Sequence, residues 1–403
     1  MGLSASKFLG IPSPHLLAFL RHAAQHSPYY SQFEWARNLL VGLPIRLNDI
    51  PITKKSDVQN SPELFRSKFD PPAAGAVVEK HTSGSTGHAL QIFKSQMHFA
   101  INAMENERLL KAWHLEANTP QLFYCQPNDA NPMGTVKAHQ LKNGNVVHEL
   151  HTRSADDIKR LLLKTRATLL AARPSQVSAI LDGTEDFSFL KIIKTTTEAV
   201  TDHLRSQISA LPSCQVVDLY GAVETGLIAV SCPTCGKYHL AEHNIIIEVL
   251  RDDDTPAAAG ELGRVVATVF NNSAMPLIRY DLGDMVHYSL VSPCQPGKMS
   301  FDKIFGRERM MFRLPSGERI LPALDPAAIL ELGIKRFKLV QISDTCIEFQ
   351  YMGFDPDLRL EHDIVQQLIA REISPEFLVS LRAVNDFPLA PSGKYLMHER
   401  LIA

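Results

Sequence analysis

Thr168-Leu169-Leu170-Ala171-Ala172 reads as a strand, and Pro174 to Leu181, with apolar positions at helical spacing, reads as the helix that follows it. Working outward, the alternation continues on both sides. Leu122-Phe123-Tyr124 is a strand, Ser154 to Lys164 a helix, Leu190 to Thr195 a strand, Asp202 to Leu211 a helix and Gln215 to Tyr220 a strand. Ser154 followed by Asp157 is a variant of the capping box for the first of these helices. Such alternation means βαβ units and a parallel sheet, so the fold class is α/β.

Towards the N-terminus, Leu16, Leu17, Phe19, Leu20 and Ala23 mark a helix that starts at Ser13 and stops at Ser27-Pro28. A second helix runs from about 97 to the Trp113 region. After Tyr220 the helices stop. Apolar β-branched runs at Leu227 to Val230, Ile245 to Val249 and Val265 to Phe270 predict an antiparallel sheet or small barrel. Phe337 to Ile342, Cys346 to Tyr351, a helix from about 361 to 372 and Leu378 to Val384 predict an α+β module. The expected domains are residues 1–305, with a helical cap over about 1–70, an α/β core over about 71–225 and a β-rich region over about 226–305, and a smaller C-terminal domain over 306–403 with a hinge at 306–309.

Between the cap and the core lies Thr82-Ser83-Gly84-Ser85-Thr86-Gly87. Glycine lets backbone approach an anion closely, and hydroxyls and amides donate to its oxygens, so the loop suits phosphate; an ordinary turn has the same composition. Three further islands follow in order: Tyr220-Gly221-Ala222-Val223-Glu224, Arg279-Tyr280-Asp281-Leu282-Gly283-Asp284 and Pro391-Ser392-Gly393-Lys394. Together the four resemble the motifs of the adenylate-forming superfamily of acyl and aryl ligases. The chain is most similar to the phenylacetate-CoA ligase branch, through Ser27-Pro28-Tyr29-Tyr30, Asp49-Ile50-Pro51-Ile52-Thr53-Lys54, Gly306-Arg307 and the cysteines below.

The resemblance implies a role for each motif. Lys394 is the catalytic lysine that approaches the carboxylate and α-phosphate, and Glu224 is the Mg2+ ligand, a hard carboxylate oxygen suited to that ion. Thr82, Ser83, Gly84, Ser85, Thr86 and Gly87 hold the phosphates of ATP. Tyr220 offers a flat face to the adenine, with Gly221 and Glu198 beside it, and Asp284 accepts from the ribose hydroxyls. Arg307 reaches the nucleotide from the hinge, or else forms an ion pair at the domain boundary. Phe123, Tyr124, Thr196 and Ala222 are candidates to line the acid pocket.

Three positions depart from the pattern. Val223 stands where Thr or Ser is common, Arg309 where the hinge often has Asp or Lys, and Thr196-Thr197-Glu198 where the turn is usually glycine-rich. Two β-branched side chains at that turn should shrink the cavity and favour a small acid.

Cys232-Pro233-Thr234-Cys235-Gly236 has the form of a metal knuckle, with His239 four residues on and Cys294 before the hinge. Three thiolates and an imidazole make the closed set that structural Zn2+ prefers. A similar set occurs in the phenylacetate-CoA ligase branch. His243 is the alternative nitrogen ligand, and a redox CxxC or unrelated thiols remain the other readings.

A net charge of -2 over 403 residues gives no basic surface for nucleic acid, and no apolar run approaches the ~18 residues of a membrane span. The N-terminus lacks a signal-peptide layout, so the expected location is cytoplasmic; Met1 to Ser6 fits only the loose myristoylation pattern. The resemblance implies an enzyme that activates a small, aromatic carboxylic acid with ATP, releases pyrophosphate and transfers the acyl group to coenzyme A. Transfer to an amine, a hydroxyl or a carrier-protein thiol, and a nucleotide-binding relative without turnover, are the competing readings. A homodimer is left open.

Overall fold

The structure, a computed structural model, describes residues 13–82, 90–112, 119–125, 127, 130–141, 143–198, 200, 202–322, 324, 326–387 and 397–402. It divides into two compact units. The first comprises residues 13–82, Leu90–Leu282 and Val286–Ile304, the second Gly283–Met285 and 305–402.

The first unit opens with short helices: α1 (Pro14–His26), α2 (Pro28–Ser31), α3 (Glu34–Leu40), α4 (Lys55–Asn60) and α5 (Pro62–Phe65). Ser13 caps α1 by accepting from Leu16 N–H at 3.3 Å, and Leu16, Leu20 and Ala23 face inward. An antiparallel hairpin of β1 (Val77–His81) and β2 (Gln91–Ser95) leads into α6 (Gln96–Ala112).

The α/β core follows: β3 (Gln121–Cys125), β4 (Thr135–Gln140), β5 (Val146–His151), α7 (Ala155–Thr165), β6 (Leu169–Ala171), α8 (Pro174–Leu181), β7 (Ile192–Thr196), α9 (Asp202–Ser209) and β8 (Gln215–Ala222). The antiparallel part comprises β9 (Gly226–Ser231), β10 (Tyr238–Leu240), β11 (Ile245–Leu250), β12 (Leu262–Val269), β13 (Leu277–Ser289) and β14 (Ser300–Arg307). All except β1 and β2 join one sheet in the order β11-β12-β13-β14-β10-β9-β8-β7-β6-β3-β5-β4. Strands β5, β3, β6, β7 and β8 are parallel neighbours, whereas β8–β9, β9–β10 and β10–β14 pair antiparallel. The alternating stretch and the switch after Tyr220 are therefore as the sequence predicts.

Two details differ. The β4–β5 hairpin has no counterpart in the sequence reading, because Lys137, His139, Gln140, His148 and Glu149 break up its apolar pattern. At the start of α7, Ser154 Oγ accepts from Asp157 N–H at 3.3 Å, but the Asp157 carboxylate does not close a capping box. It accepts instead from the Thr152 hydroxyl at 2.7 Å, and that hydroxyl also takes the Ser154 N–H at 3.1 Å.

Strands β3, β6, β7 and β8 are covered on both faces, which explains the adjacent apolar residues in each. Leu122, Leu170 and Ile193 pack with Ile158, Val177 and Ile208 of α7 to α9; Leu169, Ile192 and Val217 pack with Leu109 and Leu110 of α6.

The second unit has its own core around Phe312, Phe349, Ile369 and Phe377. It contains a small hairpin of β15 (Phe312–Arg313) and β16 (Arg319–Ile320), then α10 (Pro326–Glu331), β17 (Ile334–Ser343), β18 (Cys346–Gly353), α11 (His362–Glu372), β19 (Leu378–Ala383) and β20 (His398–Arg400). Its four-stranded sheet runs β19-β18-β17-β20. Among the described residues no helix is long and apolar enough to cross a membrane.

Candidate active site and metal centre

Glu224 sits in the turn between β8 and β9 with 2% of its surface exposed. The strands approach so closely there that a Cβ on Gly221 would lie 2.4 Å from the Gly226 carbonyl oxygen, so only glycine fits. Asn102 of α6 holds the turn by accepting from Leu227 N–H at 2.8 Å. Lys55 Nζ lies 3.6 Å from Glu224 Oε1, and the Tyr280 hydroxyl donates to that oxygen at 3.4 Å. Lys94 of β2 is also buried close by; burial lowers its pKa to about 8, and the Glu224 charge opposes the drop.

Three sequence-distant islands meet here. Thr53 N–H donates to Arg279 O and Asp281 N–H to Thr53 O, both at 2.9 Å, so the Ile52-Thr53-Lys54 segment lies along β13. The Thr53 hydroxyl donates to Ile278 O at 2.9 Å, and the Tyr30 hydroxyl accepts from Ile278 N–H at 2.9 Å. Arg279 has a left-handed φ of 46° and spends its guanidinium on Glu248, at 2.9 and 3.0 Å, and on Ile50 O at 2.7 Å. It anchors the cap to the sheet, while Asp281 pairs with Arg264. Lys55 and Lys94, which sequence reasoning missed as partners of Glu224, carry no local signal beyond their charge.

The remaining candidates are placed as follows. Thr82 N–H donates to Leu90 O and Thr82 Oγ1 accepts from Leu90 N–H, each at 2.9 Å. Ser83, Gly84, Ser85, Thr86, Gly87 and Lys394 lie outside the described residues. Tyr220 is half-buried, its ring edge-on to Phe301 at 6.0 Å. Glu198 accepts from Ser175 N–H at 3.1 Å at the start of α8, and Thr197 beside it holds a φ of 74°, rarely tolerated by a β-branched residue. Phe123 packs on the α6 side of the sheet, but Tyr124 points to the opposite side, with the Arg173 guanidinium 5.3 Å from its ring centroid. The two therefore do not line one cavity. Ala222 ends β8. In the second unit Arg307 Nε lies 3.1 Å from Asp284 Oδ1, so these two candidates are brought together as an ion pair.

Cys232, Cys235, His239 and Cys294 form a separate centre, with one donor atom from each all within 4.8 Å of one another. Gly236, at φ 71°, closes the knuckle through its N–H to Cys232 O at 2.8 Å. Cys232 and Cys294 sulfurs are 3.8 Å apart, and Cys235 Sγ is 3.3 Å from His239 Nε2. Tetrahedral Zn2+ with bonds of ~2.3 Å to sulfur needs sulfurs about 3.8 Å apart, so the set fits that ion. Although Cys294 is an exposed residue, desolvation of its sulfur first, and then the neighbouring thiols, pushes its pKa up to about 12. A cation would reverse this by stabilising the thiolates. His243 is elsewhere, exposed, with Nδ1 3.2 Å from Glu105, so the imidazole of the cluster belongs to His239.

Neither a protein-family model nor a curated protein sequence matches the chain. Solved structures do, and they show that its fold is that of the adenylate-forming CoA ligases. The likeness to 2-hydroxyisobutyryl-CoA ligase, in its postadenylation state with an acyl-AMP, covers 99% of this chain and 90% of that one, with a TM-score of 0.69 at 15% identity. An anthranilate CoA ligase in complex with anthranoyl-AMP gives 0.57 at 14% identity over 79% of this chain and 64% of its own. The amide bond synthetase McbA from Marinactinospora thermotolerans gives 0.56 at 14% over 81% and 68%.

Proposed function

We propose that this protein is an ATP-dependent carboxylate ligase that activates a small aromatic acid as an acyl-adenylate and passes the acyl group to coenzyme A. The observation that carries the reading is the convergence on buried Glu224 of the Thr53-Lys54-Lys55 segment, β2 with Lys94, and Tyr280. In the first step a carboxylate oxygen of the acid bonds to the α-phosphorus of ATP and the bond to pyrophosphate breaks. In the second a thiol attacks the acyl carbon and AMP leaves. Lys55 and Lys94 supply positive charge for phosphate oxygens, and Tyr280 orients the Glu224 carboxylate. Mg2+ bound by Glu224 would add charge neutralisation at those oxygens. Lys394 supplies a further cation for the adenylation step, and Asp284, Arg307 and Tyr220 serve the nucleoside. Zn2+ on the four-residue cluster is structural, joining the β9–β10 turn to the segment after β13. The protein works in the cytoplasm.

The fold likeness to a CoA ligase with both acyl-AMP and CoA bound supports the acceptor; the likeness to an amide bond synthetase favours an amine as the second reading. Incubating the protein with ATP, aromatic acids and either CoA or an amine, with mass spectrometry of the products, separates them. A thioester is expected; an amide without thioester would transfer the assignment to the second reading.

A further inference from the structure

Lys194 lies in β7 with 6% of its surface exposed. Its neighbours fix the direction of its side chain. Ile192 packs with Leu109 and Leu110 of α6, whereas Ile193 packs with α7 to α9 and the Thr195 hydroxyl donates to Asp218 at 2.7 Å. Strand alternation therefore turns Lys194 to the α6 side. In register with it stand Val217 of β8, Ala171 of β6 and, beyond Ala171, Phe123 of β3, all packed in the apolar cluster under α6. The row reaches a carboxylate only at Glu149 of β5, on the far side of Phe123. Among the described residues none is ion-paired with the ammonium, and burial alone lowers its pKa to about 8. Burying an ammonium without a counter-charge is strongly unfavourable. It stands two residues before the carboxyl end of its strand, on the edge of the parallel sheet where open α/β folds take their ligands.

We propose that Lys194 is a specificity-determining residue at the floor of the acid pocket, where it pairs with a second anionic group at the end of the substrate remote from the carboxylate that is activated. The substrate class is then a compact dianionic acid, such as an aromatic dicarboxylate. This rests on the adenylation reading and narrows it. Lys194 is level with Val217, and Leu219, two residues on and on the same face of β8, packs in the cluster under α6, so the acid that reaches the ammonium is compact.

The test compares the parent with Lys194→Met on matched acids: benzoate against terephthalate, and phenylacetate against 4-carboxyphenylacetate. Two readouts are taken, calorimetric binding of each acid and acid-dependent ATP–pyrophosphate exchange. Methionine keeps the volume and removes the buried charge, so the variant should be at least as heat-stable as the parent. The parent should prefer each dicarboxylate, and Lys194→Met should lose ~100-fold or more on the dicarboxylates alone, reversing the preference. An equal dicarboxylate-to-monocarboxylate ratio in both proteins, or no dicarboxylate binding to the parent, overturns the proposal. Dicarboxylate binding that disappears in Lys194→Met, without exchange in either protein, would support the lysine's role and sink only the adenylation reading.

Discussion

Tyr30 is fully buried, and its hydroxyl is the acceptor that satisfies the Ile278 N–H at 2.9 Å. Tyr30→Phe strands that donor inside the protein and should cost about 1–3 kcal/mol, read as a lower urea midpoint with an unchanged slope. Gly221→Ala is expected to be worse, since its Cβ would meet a backbone oxygen at 2.4 Å that no rotamer can move. A protein with unaltered melting temperature would show that the β8–β9 turn relaxes. At this scale the sequence was informative where a residue type has few other uses, as with the knuckle cysteines and the glycine and glutamate of the Tyr220 island. It was silent on Lys55, Lys94 and Lys194. Charge neighbours brought together from β2 and the cap, and a lysine that β7 turns under α6, have no spacing in the chain, and only folding defines them.

The elements were legible to the extent that their pattern is local. The strand–helix alternation from 122 to 222 could be read because β3, β6, β7 and β8 each contain adjacent apolar residues and are separated by amphipathic helices, whereas the β4–β5 edge hairpin could not, its exposed face being polar and charged. The knuckle between β9 and β10 is an element of another kind, gathering one donor atom from each of Cys232, Cys235, His239 and Cys294. On the proposed reading Zn2+ fills the cluster: a chelator should then leave three crowded thiols and lower the melting temperature, and elemental analysis should find zinc in the parent and none in Cys232→Ser. Protein purified without added metal that contains no zinc, and melts identically with and without a chelator, would eliminate the site.

Across the whole molecule each unit carries a buried histidine held neutral. Burial depresses His98 in the first unit and His398 in the second to about 4, from an unfolded value of 6.5. As pH falls from 6.5 towards 4 the unfolded chain takes up these protons while the folded chain does not, so stability is present above 6.5 and lost progressively through that window. The His98 share approaches about 3 kcal/mol at pH 4, and His98→Asn should flatten the acid limb of the urea midpoint against pH. The most direct test of the account is acid-dependent ATP–pyrophosphate exchange by the parent, Glu224→Gln and Lys394→Ala. Exchange in the parent that falls by ~100-fold or more in both variants is the predicted result. Absence of exchange with every carboxylic acid tried, or undiminished exchange in Glu224→Gln, would contradict it.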